Sequence, residues 1–354
     1  MGLPNINITF TTLARSLFQR GSKGTICMIL KDSAGNGEYT ILSASDIPAG
    51  ISADNKAVIE RALIGNEFPP DKILLKVLSM EDELSDGLTW AELQEFDYLV
   101  GPADITTPDT TSVVAWIKKE REAGRKSKAI LPDTVADYEG IVNFSATNIK
   151  IAAGTLTAAQ FCSRIAGIIA GTSFQQSATY AALPEVLDAG RMTRDDADAA
   201  IDAGKFIIWY DGQKFKTGRA VNSLTTTAQG KGDAFKKIKI VEVMDLIKQD
   251  ITRTAEDQFI GKYPNSYDNR CLLISGIKGY LDSLAADEIL GPNPVVEIDL
   301  EANRKWLQEN GFDVSAMTEQ EIKEANTGSA VNLRATIQIL DVIEDINLPI
   351  LLNQ

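Results

Sequence analysis

The feature that most constrains this chain is an alternation of short apolar runs with amphipathic segments through its first half. Apolar runs with strand character lie at residues 24–32, 72–78, 98–100, 128–131 and 141–144. Helical patterns lie between or after them, at residues 55–64, 89–96, 111–123 and 157–170. Strands that alternate with helices over short connections are typical of a mainly parallel sheet covered by helices. We therefore predict an α/β domain here, in a chain that is α+β overall.

The second half of the chain has longer helical patterns and fewer strands. Thr193 is predicted to cap a helix with Asp196 at its third position, and a strand hairpin follows at residues 206–224. One long amphipathic helix is predicted from about residue 232 to 263, where Pro264 would break it. Further elements are predicted at residues 270–284, 295–299, 302–309 and 319–325.

Both ends of the chain have the pattern of β-strands. Near the N-terminus Ile6, Ile8 and Phe10 share one face, and residues 335–352 alternate in a similar way. The candidate residues of this second arm are Ile337, Ile339, Val342 and Ile346. Termini are usually disordered unless something holds them, so both strands should join a sheet. That sheet could belong to the same subunit or to a neighbouring one, and the residues alone leave both possibilities open.

These patterns give an expected organisation in four segments. They are an N-terminal arm at residues 1–22, an α/β domain at 23–204, a C-terminal core domain at 205–333 and a C-terminal arm at 334–354.

The absence of histidine among the 354 residues excludes several kinds of catalytic site. Ser-His-Asp and Cys-His catalysis, histidine-containing zinc sites and imidazole acid–base chemistry all need that side chain. The formal net charge of −14 argues against nucleic acid or an anionic membrane as the main partner. No apolar run approaches the roughly 20 residues of a membrane-spanning helix. We therefore expect no catalytic residue, no cofactor and no insertion into a membrane.

Two clusters of charge could bind something, and each has a plainer interpretation. The acidic cluster lacks the spacing of a calcium-binding loop and suits the start of a helix, so we expect no metal there. Its members are Asp195, Asp196, Asp198 and Asp202. The basic residues are either solvated side chains or a contact surface for an acidic partner. They are Lys231, Lys236, Lys237 and Lys239, together with Arg270 and Lys278 beside an apolar run.

Four segments of the second half resemble one protein family. They are residues 218–226 (GRAVNSLTT), 237–247 (KIKIVEVMDLI), 260–266 (IGKYPNS) and 277–281 (IKGYL). In this order, and with strand-like ends at both termini, they resemble the sheath proteins of contractile phage tails. The similarity is to the short sheath proteins of Gram-positive myophages, defective phages and R-type phage-tail-like bacteriocins. It is strong from about residue 205 onward and at the N-terminal strand, and weaker over residues 25–200.

The resemblance implies a fold and a role for each part of the chain. The middle would be an α/β domain likened to subtilisin, which without histidine cannot carry a catalytic triad and would be structural. The C-terminal part and the two extended arms would form the assembly core. The extra outward domains of larger sheath proteins are not expected.

The resemblance also implies a mechanical function without enzymatic activity. Subunits would stack as rings, expected to be six-fold, around an inner tube and contract to drive it through a target cell envelope. The partners would be further copies of the chain, the inner tube protein, and the baseplate and tail terminator proteins. Assembly would take place in the bacterial cytoplasm, before release as part of a phage tail or tail-like particle. The candidate contacts to the tube or the next subunit would be Lys236, Lys237, Lys239, Arg270 and Lys278.

The alternative is a hydrolase-like or ligand-binding α/β enzyme whose terminal strands complete its own sheet.

Overall fold

The computed structural model describes residues 23–352, and the chain divides into two compact units. Within the described residues, the first unit, called the sheet unit here, comprises residues 23–245 and 341–352. The second, called the helical unit, comprises residues 246–340.

The sheet unit is built on a large, mainly parallel sheet. Its strands are β1 (Thr25–Lys31), β2 (Gly37–Ile41), β3 (Lys72–Leu78), β4 (Tyr98–Val100), β5 (Lys128–Pro132), β6 (Ile141–Ser145), β7 (Ile149–Ile151), β8 (Gly154–Leu156), β9 (Lys205–Tyr210) and β10 (Phe215–Thr217). Eight of them form one sheet in the order β10-β9-β6-β5-β4-β1-β3-β2, while β7 and β8 form a separate hairpin. The six central strands are parallel, and the edge strands β2 and β10 are antiparallel to their neighbours. The predicted mixed α/β arrangement is confirmed.

Helices cover both faces of this sheet. They are α1 (Ala53–Leu63), α2 (Leu84–Ala91), α3 (Thr107–Glu122), α4 (Ala158–Ala170) and α5 (Arg194–Asp202). Ile26 and Met28 of β1 pack in one apolar cluster with α1 and α4, whereas Cys27 and Ile29 pack in another with α2 and α3. Successive side chains of a strand point to opposite faces, so a strand buried on both faces must be apolar throughout.

Two of the predicted helix starts are confirmed by their caps. The Thr157 hydroxyl accepts a hydrogen bond from the Gln160 amide, and the Gln160 side chain accepts one from the Thr157 amide. The Thr193 hydroxyl accepts from the Asp196 amide at 3.2 Å. Both caps satisfy amides at a helix start that have no partner within the helix.

The helical unit begins within the helix α6 (Ile238–Thr254), because the boundary between the two units falls after Asp245. Its further elements are a π-helical turn (Ala255–Phe259), α7 (Tyr267–Ala286), β11 (Val295–Ile298), α8 (Leu300–Glu309), α9 (Glu319–Glu324) and β12 (Leu333–Thr336). A small core of Leu307, Val314 and Ile322 joins α8 to α9. β11 and β12 pair in antiparallel fashion.

The single long helix predicted over residues 232–263 is divided in three. A 3₁₀ turn at Asp233–Lys236 precedes α6, and the π-helical turn follows it. Lys237 has an extended backbone because it forms an isolated β-bridge with Val221. A pairing with a distant segment thus overrides the local helical pattern, which carries no information about that partner.

Two expected segment boundaries also differ from the structure. The sheet continues past residue 204, since β9 pairs with β6 and β10 pairs with β9. The strand expected over residues 335–352 is much shorter: β12 ends at Thr336, and a single β-bridge follows at Ile339. Within the described residues, the segment after Leu340 is held by side chains rather than by a backbone ladder.

Buried ion pairs fix the first half of α6 to the amino-terminal edge of the parallel sheet. Glu242 accepts hydrogen bonds from the Tyr98 hydroxyl at 2.8 Å and from the Lys23 ammonium at 2.7 Å. Tyr98 begins β4, and Lys23 lies just before β1. One turn later, Asp245 ends the part of α6 that belongs to the sheet unit.

Asp245 lies between two cations. It accepts two hydrogen bonds from the Arg121 guanidinium, both at 2.9 Å, and one from Lys128 at 2.8 Å. Burial alone would raise the pKa of the Asp245 carboxyl, but Lys128 and Arg121 outweigh that cost and lower it. The carboxylate is therefore ionised in the interior and pinned by both partners.

Candidate assembly surfaces

The C-terminal segment is first held along the helical unit. β12 pairs with β11 from Leu333 to Thr336. Beyond it, the Gly291 amide donates to the Gln338 carbonyl at 2.7 Å, and the Leu340 amide donates to the Ile289 carbonyl at 3.0 Å. These bonds keep the chain extended up to Leu340.

The next five residues lie on the sheet unit and are held there by three acidic side chains. Glu344 accepts from the Thr179 hydroxyl at 2.6 Å and from the Lys237 ammonium at 2.8 Å. Asp345 accepts from the Arg219 guanidinium at 2.7 Å, and Asp341 pairs with Lys237. We call this set of contacts, at residues 341–345, the carboxylate clip.

The centre of the clip is largely shielded from water. The Glu344 side chain is 7% exposed, whereas that of Asp345 is 79% exposed. Partial burial disfavours the charged form of Lys237, but its hydrogen bonds to Asp341 and Glu344 raise its pKa overall. The hydrogen bond to Asp345 likewise raises the pKa of Arg219. The clip is thus a built carboxylate-binding site that the chain fills with its own tail.

Contacts distant in sequence position the clip residues. The Thr179 hydroxyl also accepts from the Ala220 amide at 3.0 Å, which holds Thr179 beside Arg219. The β-bridge between Val221 and Lys237 places the lysine at the same spot. The break between the 3₁₀ turn and α6 is therefore what turns Lys237 toward the tail.

Beyond the clip the tail is apolar and exposed. The exposed fractions of its large apolar side chains are 83% for Ile346, 73% for Leu348, 75% for Ile350, 91% for Leu351 and 88% for Leu352. Such a row of exposed apolar side chains marks an interaction surface.

A short sheet in the helical unit offers a second surface. Within the described residues, β11 and β12 form a sheet of only two strands. Two-stranded sheets are marginally stable by themselves, and an open strand edge presents unpaired amides and carbonyls that can accept another strand. Val295 of β11 is also 47% exposed.

The predicted arm residues fall on both sides of the clip. Ile6, Ile8 and Phe10 lie outside the described residues. Ile337, Ile339 and Val342 are half-buried on their own subunit, and Ile346 is exposed. Ile346 is therefore the one described arm candidate that its own subunit leaves uncovered.

The predicted basic patch does not form one surface. Lys239 is buried at 4% exposure and Arg270 at 3%. Arg270 donates to the carbonyls of Lys323 and Ala325 at the end of α9, where a helix leaves carbonyls without partners. An exposed contact role does not fit either residue.

The other members of the patch have separate ion-pair partners. Lys237 belongs to the clip, Lys236 pairs with Asp233 at 2.9 Å, and Lys231 pairs with Glu139 at 2.9 Å. Lys278 pairs with Asp282 one turn along α7 at 2.8 Å. Lys231, Lys236 and Lys278 remain partly exposed.

Sequence reasoning missed the clip and the pairs on α6. Glu344 was part of an arm defined only by its apolar residues, and Glu242 and Asp245 were part of a helix defined in the same way. One signal was available: an acidic pair three residues apart within the apolar run IVEVMDLI of α6 needs buried cations or water nearby.

The acidic cluster at α5 has the arrangement of a helix start. Asp195 and Asp196 lie in its first turn, behind the Thr193 cap. Among residues 23–352, no group of three or more His, Cys, Asp or Glu side chains is arranged to hold a metal ion. Over the same range, no helix combines the length and apolar character that crossing a bilayer requires.

Comparison with known proteins gives the family. A family model described as the phage tail sheath protein central domain matches residues 80–223, and one described as the phage tail sheath C-terminal domain matches residues 230–352. The chain belongs to the phage tail sheath protein family. This sheath protein is also 39% identical, over 353 residues and 98% of each chain, to the tail sheath protein of Clostridium phage phiCD119. It is a structural subunit of a contractile sheath.

Solved structures agree with this assignment at the level of the fold. The crystal structure of a sheath tail protein from Desulfitobacterium hafniense is similar with a TM-score of 0.68 and 20% identity, over 83% of this chain and 94% of that chain. The helical sheath of the anti-feeding prophage in its contracted state is similar with a TM-score of 0.70 and 14% identity, over 99% of each chain. The sheath protein therefore shares its fold with subunits of contractile assemblies.

Proposed function

We propose that this sheath protein polymerises as stacked six-fold rings around an inner tube and contracts to drive that tube through a target cell envelope. The observation that supports this most is the row of exposed apolar side chains at residues 346–352, on a segment otherwise held on its own subunit. A contact between different surfaces of identical subunits does not close on itself and generates helical polymers.

The terminal arms would connect the subunits. The tail of one subunit would add a strand to the β11–β12 sheet of a neighbour, through backbone hydrogen bonds and alternate side chains. Ile6, Ile8 and Phe10 would join the same intersubunit sheet from a further copy. The small size and open edges of that sheet support this assignment, because two strands alone are marginal.

The remaining partners follow from the same function. The inner tube protein would lie inside the rings, and baseplate and tail terminator proteins would bind the two ends of the stack. Of the predicted contact residues, Lys236 and Lys278 are partly exposed and lie outside the clip, so we propose them as contacts to the tube or the next subunit. We also propose assembly in the bacterial cytoplasm before release with the particle, and no catalytic activity of the chain itself.

A truncation tests the central step. A chain that ends at Asp345 keeps β12, the clip and every described contact of the body, so it should fold as a soluble subunit. Negative-stain microscopy should show tubes or rings for the full chain and none for the truncated chain. Tubes from the truncated chain would refute the arm model. Monodisperse full-length protein that turns over a substrate would favour an enzyme instead.

A further inference from the structure

We propose that the carboxylate clip stays closed within each subunit during assembly, so that only the residues after Asp345 are given to a neighbouring copy. This inference rests on the proposed function and adds where the donated part of the arm begins. The clip would act as the fixed point from which the free arm extends.

The first support is the row of exposed apolar side chains that follows the shielded carboxylate of Glu344. The Glu344 side chain is 7% exposed, and Ile346, two residues later, is 83% exposed. Every large apolar residue from Ile346 to Leu352 is at least 73% exposed. Ile343, inside the clip, is also 86% exposed. The subunit therefore shields Glu344 rather than the whole clip, and it leaves every large apolar side chain after Asp345 for another surface.

The second support is the division of charge. Residues 341–345 (DVIED) carry three carboxylates, whereas residues 346–352 (INLPILL) carry no charged side chain. Lys237 and Arg219 satisfy the carboxylates on the same subunit. The net charge of −14 makes the surface of a second copy a poor place for three further carboxylates. The uncharged part suits the edge of a sheet.

The third support is the number of bonds that opening the clip would break. Glu344 would lose the Thr179 hydroxyl and the Lys237 ammonium together, and Lys237 would lose Asp341 as well. Hydrogen bonds to charged groups are among the strongest in proteins, and leaving a shielded one unmade is costly.

A closed clip also sets the reach of the arm. Residues 346–354, fully extended, span about 30 Å. The sheet edge that receives them must therefore lie within about 30 Å of Asp345.

The first test uses the unassembled subunit and a glutamyl endopeptidase, which cuts after Glu344 only when that residue is accessible. The clip variant carries Lys237→Met and Arg219→Met. The control carries Lys278→Met and Lys305→Met, which remove the same charge from two exposed pairs within single helices. We expect release of residues 345–354, measured by mass, to be at least about tenfold faster for the clip variant alone. Equal rates in both variants would refute a clip that holds the tail.

The second test asks whether the clip closes within one subunit or between two. One chain carries Lys237→Glu, a second carries Asp341→Lys and Glu344→Lys, and a third combines all three changes. We expect tubes from the combined chain and from wild type, and few or none from an equimolar mixture of the first two. Tubes from the mixture as abundant as from the combined chain would show closure between subunits and overturn the proposal.

Two other outcomes also overturn the proposal but leave the proposed function standing. One is normal tubes from the first and second chains separately, because the clip would then be dispensable. The other is a combined chain that folds but forms no tubes. If wild type itself forms neither tubes nor rings, the proposed function fails, and the protease test still decides whether the clip is closed.

Discussion

Replacing Asp245 by asparagine should destabilise the sheet unit more than any comparable change at the surface. The Asp245 side chain is 10% exposed and pairs with both Arg121 and Lys128. Removing one partner of a buried ion pair leaves an uncompensated buried charge and typically costs about 3–5 kcal/mol. The asparagine oxygen can still accept one hydrogen bond, so we expect a loss of about 3 kcal/mol.

A matched change at an exposed pair provides the control. Asp282→Asn removes the partner of Lys278, a pair whose side chains are 40% and 47% exposed. Exposed pairs of this kind contribute about 0–1 kcal/mol. The two variants thus make the same chemical change, and the expected difference between them arises from burial and from the second cation that pairs with Asp245.

Urea unfolding followed by tryptophan fluorescence measures both variants. Trp90, Trp116 and Trp209 lie in the sheet unit, whereas Trp306 lies in the helical unit. A Trp306→Phe background therefore reports on the sheet unit only. The chain should end at Asp345 so that assembly does not compete with unfolding. A shift of the midpoint for Asp245→Asn no larger than that for Asp282→Asn would refute the reasoning.

The pH dependence supplies a second check. The pKa of Asp245 is lowered below its ordinary value of 3.8. A carboxyl with a lowered pKa contributes stability that is fully present above the unfolded pKa and is lost as the pH falls through the folded one. The advantage of wild type over Asp245→Asn should therefore be constant near neutral pH and shrink below about pH 4.

Two further predictions concern the arm and the core. Leu348→Ser should raise the critical concentration for tube formation, measured by sedimentation, at least about tenfold, because one buried leucine contributes about 1.5–3 kcal/mol. The adjacent change Asn347→Ser should alter the critical concentration little. Equal effects of the two changes would argue against a strand. Gly167→Ala should destabilise the subunit by about 1–3 kcal/mol, measured by a thermal melt. The new Cβ would lie 2.1 Å from the Ala62 carbonyl oxygen and would force α1 and α4 apart. An unchanged melting temperature would contradict this close packing.

The elements that could be predicted from the sequence are those whose cause is local. The Thr157 and Thr193 caps depend on residues three positions away, and β1 depends on an unbroken apolar run. The alternation of such elements was enough to give a mainly parallel sheet. These features need no knowledge of distant partners.

The features that could not be predicted depend on partners far along the chain. Lys237 is extended because of Val221, and Glu242 is buried because Tyr98 lies 144 residues away. The basic residues were close in sequence, but burial and separate partners distribute them over different environments. Sequence spacing indicates a cluster of basic residues, but the fold determines which of their side chains are exposed to solvent.

The energetics of the arm suggest why its anchoring matters. If Ile346, Leu348, Ile350 and Leu352 are buried by a neighbour, they contribute about 6–12 kcal/mol. Ordering the seven residues 346–352 costs about 7–14 kcal/mol in backbone entropy, so burial and ordering nearly cancel. Backbone hydrogen bonds, each worth about 0.5–1.5 kcal/mol, then decide the balance. Without the clip, residues 341–345 would also have to be ordered at assembly, at a further cost of about 5–10 kcal/mol. By ordering residues 341–345 within the subunit, the clip removes a cost that strand addition would have to offset with a segment carrying three carboxylates.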